Sequence, residues 1–143
     1  MKKQVIGFTS VVGDLLHPGH LKMIEECKKQ CDHLIVGFIV DPTDRSFKNE
    51  PVQSTFERYY SLRSNKHIDE IVPINDEEDL WLALSILNID VRFVGNEYQK
   101  TEFTGKTLCE LRGIKIIYNE VRLHGLSSSK LRERIFLAEE KNR

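Results

Sequence analysis

The chain has 143 residues, 40% of them hydrophobic and 30% charged, and its 21 Lys+Arg against 22 Asp+Glu leave a net charge of −1. One domain follows from this length, large enough to bury roughly 68–70% of its unfolded surface without a disulfide or a structural metal. The charge balance argues against a general nucleic-acid or anionic-membrane binder, yet leaves room for a small cationic pocket.

Met1-Lys2-Lys3 runs into Val5–Phe8, too short for a signal peptide, and no apolar stretch approaches the roughly 18 residues of a membrane helix. Three cysteines, an odd number, lead us to expect reduced thiols and a cytoplasmic setting. Val5–Phe8 is the first predicted strand. Leu21, Ile24, Cys27 and Cys31 then form one stripe of an amphipathic helix. Cys27, Cys31 and His33 lack an evident fourth ligand, so the thiols read as half-buried helix residues rather than a zinc site. Leu34–Val40 is the second strand; Phe56, Tyr60 and Arg63 mark a helix; Glu70–Ile74 is the third strand. Asp76, Glu77, Glu78 and Asp79 stand where the helix of Leu80, Leu84 and Leu87 should begin. They suit the positive end of its dipole better than a metal. Val91–Val94 is the fourth strand and Ile114–Tyr118 the fifth. The helix between them carries Leu108 and Leu111, with Thr104 as its expected N-cap and Gly113 as its C-cap. Gly105-Lys106-Thr107 looks like the end of a P-loop, but Lys100 stands where the first glycine is required. Leu131, Ile135 and Leu137-Ala138 mark a last helix.

The alternation of strands and helices implies one α/β domain over residues 1–143 with a Rossmann-like plan. Five parallel strands would form the sheet, with helices on both faces. Ligands of such sheets bind where loops leave the carboxyl ends of the strands. The loops that matter are therefore 9–20, 41–53, 95–105 and 119–129.

The first of these holds Asp14-Leu15-Leu16-His17-Pro18-Gly19-His20. Pro18 suits a first helical turn, and Gly19 allows a bulky group close to the backbone. Two imidazoles and the free amides of a helix start suit a phosphate chain. In the last loop Ser127, Ser128 and Ser129 precede a helix, and three hydroxyls exceed what capping requires.

His17-Pro18-Gly19-His20 resembles the H-x-G-H signature of the nucleotidylyltransferase superfamily. The chain as a whole resembles the small cytidylyltransferases of the glycerol-3-phosphate cytidylyltransferase type. The resemblance runs from about Val5 to Ile135 and includes Glu57-Arg58, Ile68-Asp69-Glu70-Ile71-Val72-Pro73 and Ile89-Asp90-Val91. It also includes Arg122-Leu123-His124-Gly125-Leu126-Ser127-Ser128-Ser129-Lys130, similar to the family's R-T-E-G-I-S-T-(S/T)-K motif.

The resemblance implies attack by a phosphorylated acceptor on the α-phosphorus of a nucleoside triphosphate, with release of pyrophosphate. His17, His20, Lys48, Arg122, Ser127 and Ser128 would be the catalytic set. Ser10, Val11, Val12, Asp14, Gly95, Asn96, Glu97, Leu126 and Ser129 would line the nucleotide; Arg45, Arg58 and Tyr98 are the acceptor-side candidates. Arg58 could instead brace its loop, and Tyr98 could pack on the domain or stack on a base. Magnesium is expected on the triphosphate, held mainly by phosphate oxygens and water, with no protein metal site. Neither nucleic acid nor membrane is an expected partner. A homodimer is implied by the family, with Phe56, Tyr59, Tyr60 and Trp81 as interface or core aromatics.

The chain also departs from the pattern. Val11-Val12-Gly13-Asp14 replaces the usual Gly-Thr-Phe-Asp, His124 replaces a Glu, and Glu97-Tyr98 replaces Asp-Trp. CMP transfer from CTP to a phosphorylated alcohol such as glycerol 3-phosphate is the leading expectation. Adenylyl transfer to a sugar phosphate, as in the heptose-type enzymes, or a nucleotide-binding module without turnover, are the alternatives.

Overall fold

Side-chain alternation along Leu34–Phe38 sends Leu34, Val36 and Phe38 to one face of the sheet and Ile35 to the other. Both faces are therefore apolar, as in a parallel sheet covered on each side. The computed structural model describes residues 3–44, 50–120 and 126–143. Its strands are β1 (Ile6–Val11), β2 (His33–Ile39), β3 (Glu70–Ile74), β4 (Val91–Gly95) and β5 (Lys115–Asn119). Its helices are α1 (Pro18–Lys29), α2 (Thr55–Arg63), α3 (Glu77–Ile86), α4 (Lys106–Arg112) and α5 (Ser128–Lys141), with short 3₁₀ turns at Pro42–Asp44 and Asn96–Tyr98. The strands pair in the order β3-β2-β1-β4-β5, and all four pairings are parallel.

Two apolar layers enclose this sheet. Ile24 and Cys27 of α1 and Leu62 of α2 pack with Val36, Phe38, Val91 and Phe93. Leu80, Ala83 and Leu84 of α3 and Cys109 of α4 pack with Phe8, Ile35 and Ile74 on the opposite face. The Rossmann-like sheet expected from the sequence is thus the observed one. Order reverses between β1 and β4, which places the fold's binding crevice at the carboxyl ends of those two strands.

Helix boundaries follow local chemistry. α2 starts at a capping box in which the Ser54 hydroxyl accepts from Glu57 N and the Glu57 carboxylate accepts from Ser54 N. Asp76 caps α3 by accepting from Asp79 N, with acidic residues throughout the first turn, as the dipole argument requires. Gly113 ends α4 at φ 73°.

Three expectations need correction. Thr104 does not cap α4: Gly105 holds the cap position in the left-handed region without a side-chain bond, and the Thr104 hydroxyl donates to Glu77 instead. α2 does not bury Phe56 and Tyr60, which are 70% and 51% exposed; its buried pair is Arg58 and Leu62, also one turn apart. Tyr59 and Trp81 are likewise exposed, so none of the four aromatics offered as interface or core belongs to the core. Finally, α5 buries none of its residues.

At the amino edge of the sheet three aspartates stitch neighbouring strands together. Asp32 accepts from Val5 N at 2.8 Å, Asp90 from Ile6 N at 2.9 Å and Asp69 from Leu34 N at 2.8 Å. The Ile68-Asp69 and Ile89-Asp90 segments therefore work on strand register, at the end of the sheet away from the crevice.

Among the described residues no helix is long and apolar enough to cross a membrane. Cys27 is fully buried, receives the Asn119 amide at 3.1 Å, and burial pushes its thiol up to about 12. Cys31 donates to the Cys27 carbonyl at 3.4 Å. Cys27 is thus a helix residue buried more fully than the sequence suggested, whereas Cys31 lies just past the end of α1 and is the half-buried one of the two.

Candidate active site

The loop leaving β1 turns sharply. Gly13 has φ 75°, and Leu15, a non-glycine residue, has φ 50°. Leu15 is held there by its amide, which donates to the Gln53 side chain at 2.8 Å. The turn brings His17 to the N-cap of α1, with Pro18 in the first turn. His17 Nδ1 accepts from Gly19 N at 3.0 Å, so the proton of its neutral ring sits on Nε2 and is available to an oxyanion. His20, less than one turn on, lies with its ring centroid 4.1 Å from that of His17. A β-carbon on Gly19 would stand 2.6 Å from His17 Cε1 and 3.6 Å from the Leu126 carbonyl. Glycine is required for this cap, and the Leu126 carbonyl stands over it.

Electrostatics favour uncharged rings before a ligand arrives. Burial lowers the affinity of His17 for a proton. Burial and then the neighbouring His17 take His20 down to about 4, against a smaller opposing pull from Asp14. The charge of an arriving polyanion would oppose both effects, so the pair can donate as imidazole or take up a proton as negative charge builds.

Three polar atoms around this point are buried without a partner: Ser10 Oγ at the end of β1, His20 Nδ1, and Asn96 Oδ1 just past β4. Such atoms are costly in a folded protein unless a ligand or water completes them. They flank the crevice where strand order reverses. Gly95 leads into Asn96, and the Glu97 carboxylate folds back over it where a β-carbon would stand.

The C-terminal segment meets the same loop. Ser127 caps α5 by accepting from Lys130 N at 3.0 Å, and the Ser128 hydroxyl donates to the Asp14 main-chain carbonyl at 2.7 Å. Imidazoles and serines more than a hundred positions apart thus lie in one region, and the N-terminus of α5 adds its free amides. The Ser128 proton is committed to Asp14, whereas Ser127 Oγ only accepts and keeps its own O–H to donate.

Other proposed site residues take different roles. The Asp14 carboxylate is buried; it accepts from Val52 N at 3.0 Å, Gln53 N at 2.9 Å and Arg132 Nη2 at 2.7 Å, so its side chain braces the loop. Burial pushes that carboxyl up, but the two amides and the guanidinium outweigh it and hold it below its ordinary range. Val11 places its side chain in the core, and the Val12 carbonyl accepts from Arg58. Arg58, 2% exposed, is the brace and not the acceptor contact. Its five N–H groups reach Gln53 O, Val12 O, Ile39 O, Val40 O and Thr55 Oγ1, and its guanidinium lies over Phe38. Tyr98 packs edge-on against Phe103, which meets Tyr118 in the same way, so its ring is committed to the domain on that side. Lys48, Arg45, Arg122 and His124 lie outside the described residues. Arg132, which no motif marked, emerges from the structure alone; its signal is a contact with Asp14 across 118 positions.

Among the described residues no three His, Cys, Asp or Glu side chains cluster as a metal cage would. The one carboxylate near the histidines, Asp14, already accepts three hydrogen bonds. Its oxygens are committed to the fold.

Comparison with known proteins agrees with this geometry. The chain is 32% identical over 114 residues to the bifunctional protein HldE of Hyphomonas neptunium, 78% of this chain and 23% of the relative. It is 34% identical over 118 residues to HldE of Acidiphilium cryptum, 81% of this chain and 24% of the relative. The chain therefore spans about a quarter of the length of the curated relatives it matches. Among solved structures, a lipopolysaccharide core biosynthesis protein from Thermoplasma volcanium superposes with a TM-score of 0.69 at 21% identity, over 85% of this chain and all of the other. A pantoate-beta-alanine ligase from Francisella tularensis gives 0.58 at 21% identity over 92% of this chain and 66% of that one, which extends the likeness of fold. The family model described as cytidylyltransferase-like matches residues 14–134, from the aspartate beneath the histidine loop into α5. With the paired imidazoles at the β1–β4 crevice and α5 docked beside them, this chain belongs to the cytidylyltransferase-like family.

Proposed function

We propose that the chain transfers a nucleoside monophosphate group from a nucleoside triphosphate to the phosphate of a small phosphorylated sugar, with ATP as donor. An acceptor phosphate oxygen bonds to the α-phosphorus, the bond from that phosphorus to the bridging oxygen breaks, and pyrophosphate leaves with the electron pair. The acceptor brings its own anionic nucleophile, so the protein's work is to align two anions and stabilise charge at phosphorus. The observation that carries the reading is the crevice itself. Two uncharged imidazoles and the unpartnered Ser10, His20 and Asn96 atoms stand beside the N-terminus of α5.

The 31–34% identity to HldE proteins supports the heptose-type adenylyltransferases over the cytidylyl reading. Transfer of CMP from CTP to an alcohol phosphate is the second reading, favoured by the family model's description. Magnesium belongs to this proposal as an ion carried by the triphosphate. A homodimer belongs to it too, supported by the exposed Phe56 and Tyr60 of α2, and so does a cytoplasmic setting, supported by three cysteines outside any disulfide.

The test is incubation with ATP or CTP, magnesium, and a panel of sugar 1-phosphates and glycerol 3-phosphate, read by pyrophosphate release and product mass. Faster release with ATP and a sugar phosphate is expected. A preference for CTP with glycerol 3-phosphate would establish the second reading, and no release with any pair would overturn both.

A further inference from the structure

Surface helices are ordinarily held by an apolar face. α5 is not: none of its 14 residues is buried, and Ile135, Phe136 and Leu137 are 52–63% exposed. Its polar contacts with the rest of the described chain converge on one place instead. The Ser128 hydroxyl donates to the Asp14 carbonyl at 2.7 Å; Arg132 Nη2 donates to the Asp14 carboxylate at 2.7 Å and to the Glu50 carbonyl at 3.3 Å. Arg132 Nε is buried without a partner, so these bonds alone anchor the guanidinium among the described residues. Side-chain exposure is 27% for Arg132 and 6% for Asp14, which shields the pair from most of the solvent. The same carboxylate accepts from Val52 N and Gln53 N, and Gln53 in turn fixes Leu15. One side chain thus joins the histidine loop, the segment entering α2, and the last helix.

We propose that Asp14 and Arg132 form a positioning latch for nucleotide binding. The pair holds the amino end of α5, with Ser127–Ser129, at the separation from His17 and His20 that one polyphosphate can span. The proposal rests on the transferase reading above. A charge-assisted bond shielded from water is strong and directional, and helix amides bind an anion only when the helix points at it. A helix held by so few contacts opens readily once they are removed. Nucleotide would then meet a site assembled only part of the time, and its apparent affinity would fall by that fraction. Neither side chain needs to touch the reacting atoms, so the defect belongs to binding rather than to the chemical step.

The experiment compares Arg132→Ala, Arg132→Lys and Asp14→Asn, with exposed Arg134→Ala on the same helix as control. Nucleotide KM and kcat are measured separately, tripolyphosphate binding by calorimetry, and amide hydrogen exchange over residues 128–134. Arg132→Ala is expected to raise nucleotide KM about tenfold or more, to weaken tripolyphosphate alike, and to change kcat by less than about threefold. Exchange at the start of α5 accelerates, Arg132→Lys recovers part of each effect, and Arg134→Ala matches the wild type. Wild-type affinity for nucleotide and tripolyphosphate in folded Arg132→Ala, or unchanged exchange in α5, would overturn the latch. Should Arg132→Ala fail to fold, Arg132→Lys and Asp14→Asn provide the same comparison. A wild-type protein that binds tripolyphosphate but releases no pyrophosphate defeats the transferase reading, while binding and exchange still decide the latch.

Discussion

At His20 the surroundings decide where the proton resides. Burial and the adjacent His17 take its pKa to about 4, against about 6.5 in an unfolded chain. Between those values the unfolded chain binds more protons than the folded one, so stability rises with pH through that window and falls on acidification. Urea unfolding between pH 7 and 4.5 should show this loss, no steeper than about 1.4 kcal/mol per pH unit from this ring. His20→Asn should flatten that part of the curve, and an unchanged slope in the variant would place the titration elsewhere. The paired histidines were readable in the sequence because their pattern is local: two histidines three apart, with Pro and Gly between them, describe a helix start by themselves. Asp14 and Arg58 were harder to read because a carboxylate or a guanidinium serves a ligand or a backbone equally well. What separates the two roles is the set of carbonyls and amides that folding brings to each, and only the structure gives that.

Elements were legible wherever both faces of a strand are apolar. Glu70–Ile74 has the bounds the sequence suggested, and β1 was ended too early because Thr9 and Ser10, which precede its last residue Val11, are polar. Thr9 is nevertheless in the sheet, donating its hydroxyl to the Phe93 carbonyl. α2 and α5 misled because apolar residues at helical spacing were assumed to face inward. Phe56 and Tyr60 of α2 and Ile135 of α5 have that spacing and face out. Aspartates at the amino edge account for segments that a functional motif does not need. Asp69 accepts from both Leu34 N and Lys28 Nζ; burial pushes its carboxyl up, but the lysine and the amide outweigh this and hold it below its usual range. Asp69→Ala should therefore cost about 1–2 kcal/mol in urea unfolding at neutral pH while leaving kcat and nucleotide KM unchanged. A loss of activity without loss of stability would mean that this edge of the sheet reaches the crevice after all.

Across the whole molecule, the two edges of the sheet are secured by opposite charges. Carboxylates take the strand amides at the amino edge, and at the carboxyl edge the buried guanidinium of Arg58 takes the carbonyls that β1 and β2 leave unpaired. That arrangement holds the crevice open. Arg58 joins Val12 beyond β1, Ile39 and Val40 at the end of β2, and Gln53 at the entry to α2, so the points where the chain leaves β1 and β2 are tied to one side chain. A lysine there would keep the charge but lose the planar fork, with three donors for five acceptors and no flat guanidinium to lie over Phe38. Arg58→Lys should accordingly destabilise the fold by about 2–5 kcal/mol, since carbonyls are left unsatisfied and a charge is left buried. At a temperature where the variant is still folded, nucleotide and acceptor KM should rise together, because one brace sets both loops. An acceptor KM that rises alone, at wild-type stability, would show that the arginine reaches the acceptor phosphate and that the crevice owes its shape to some other contact.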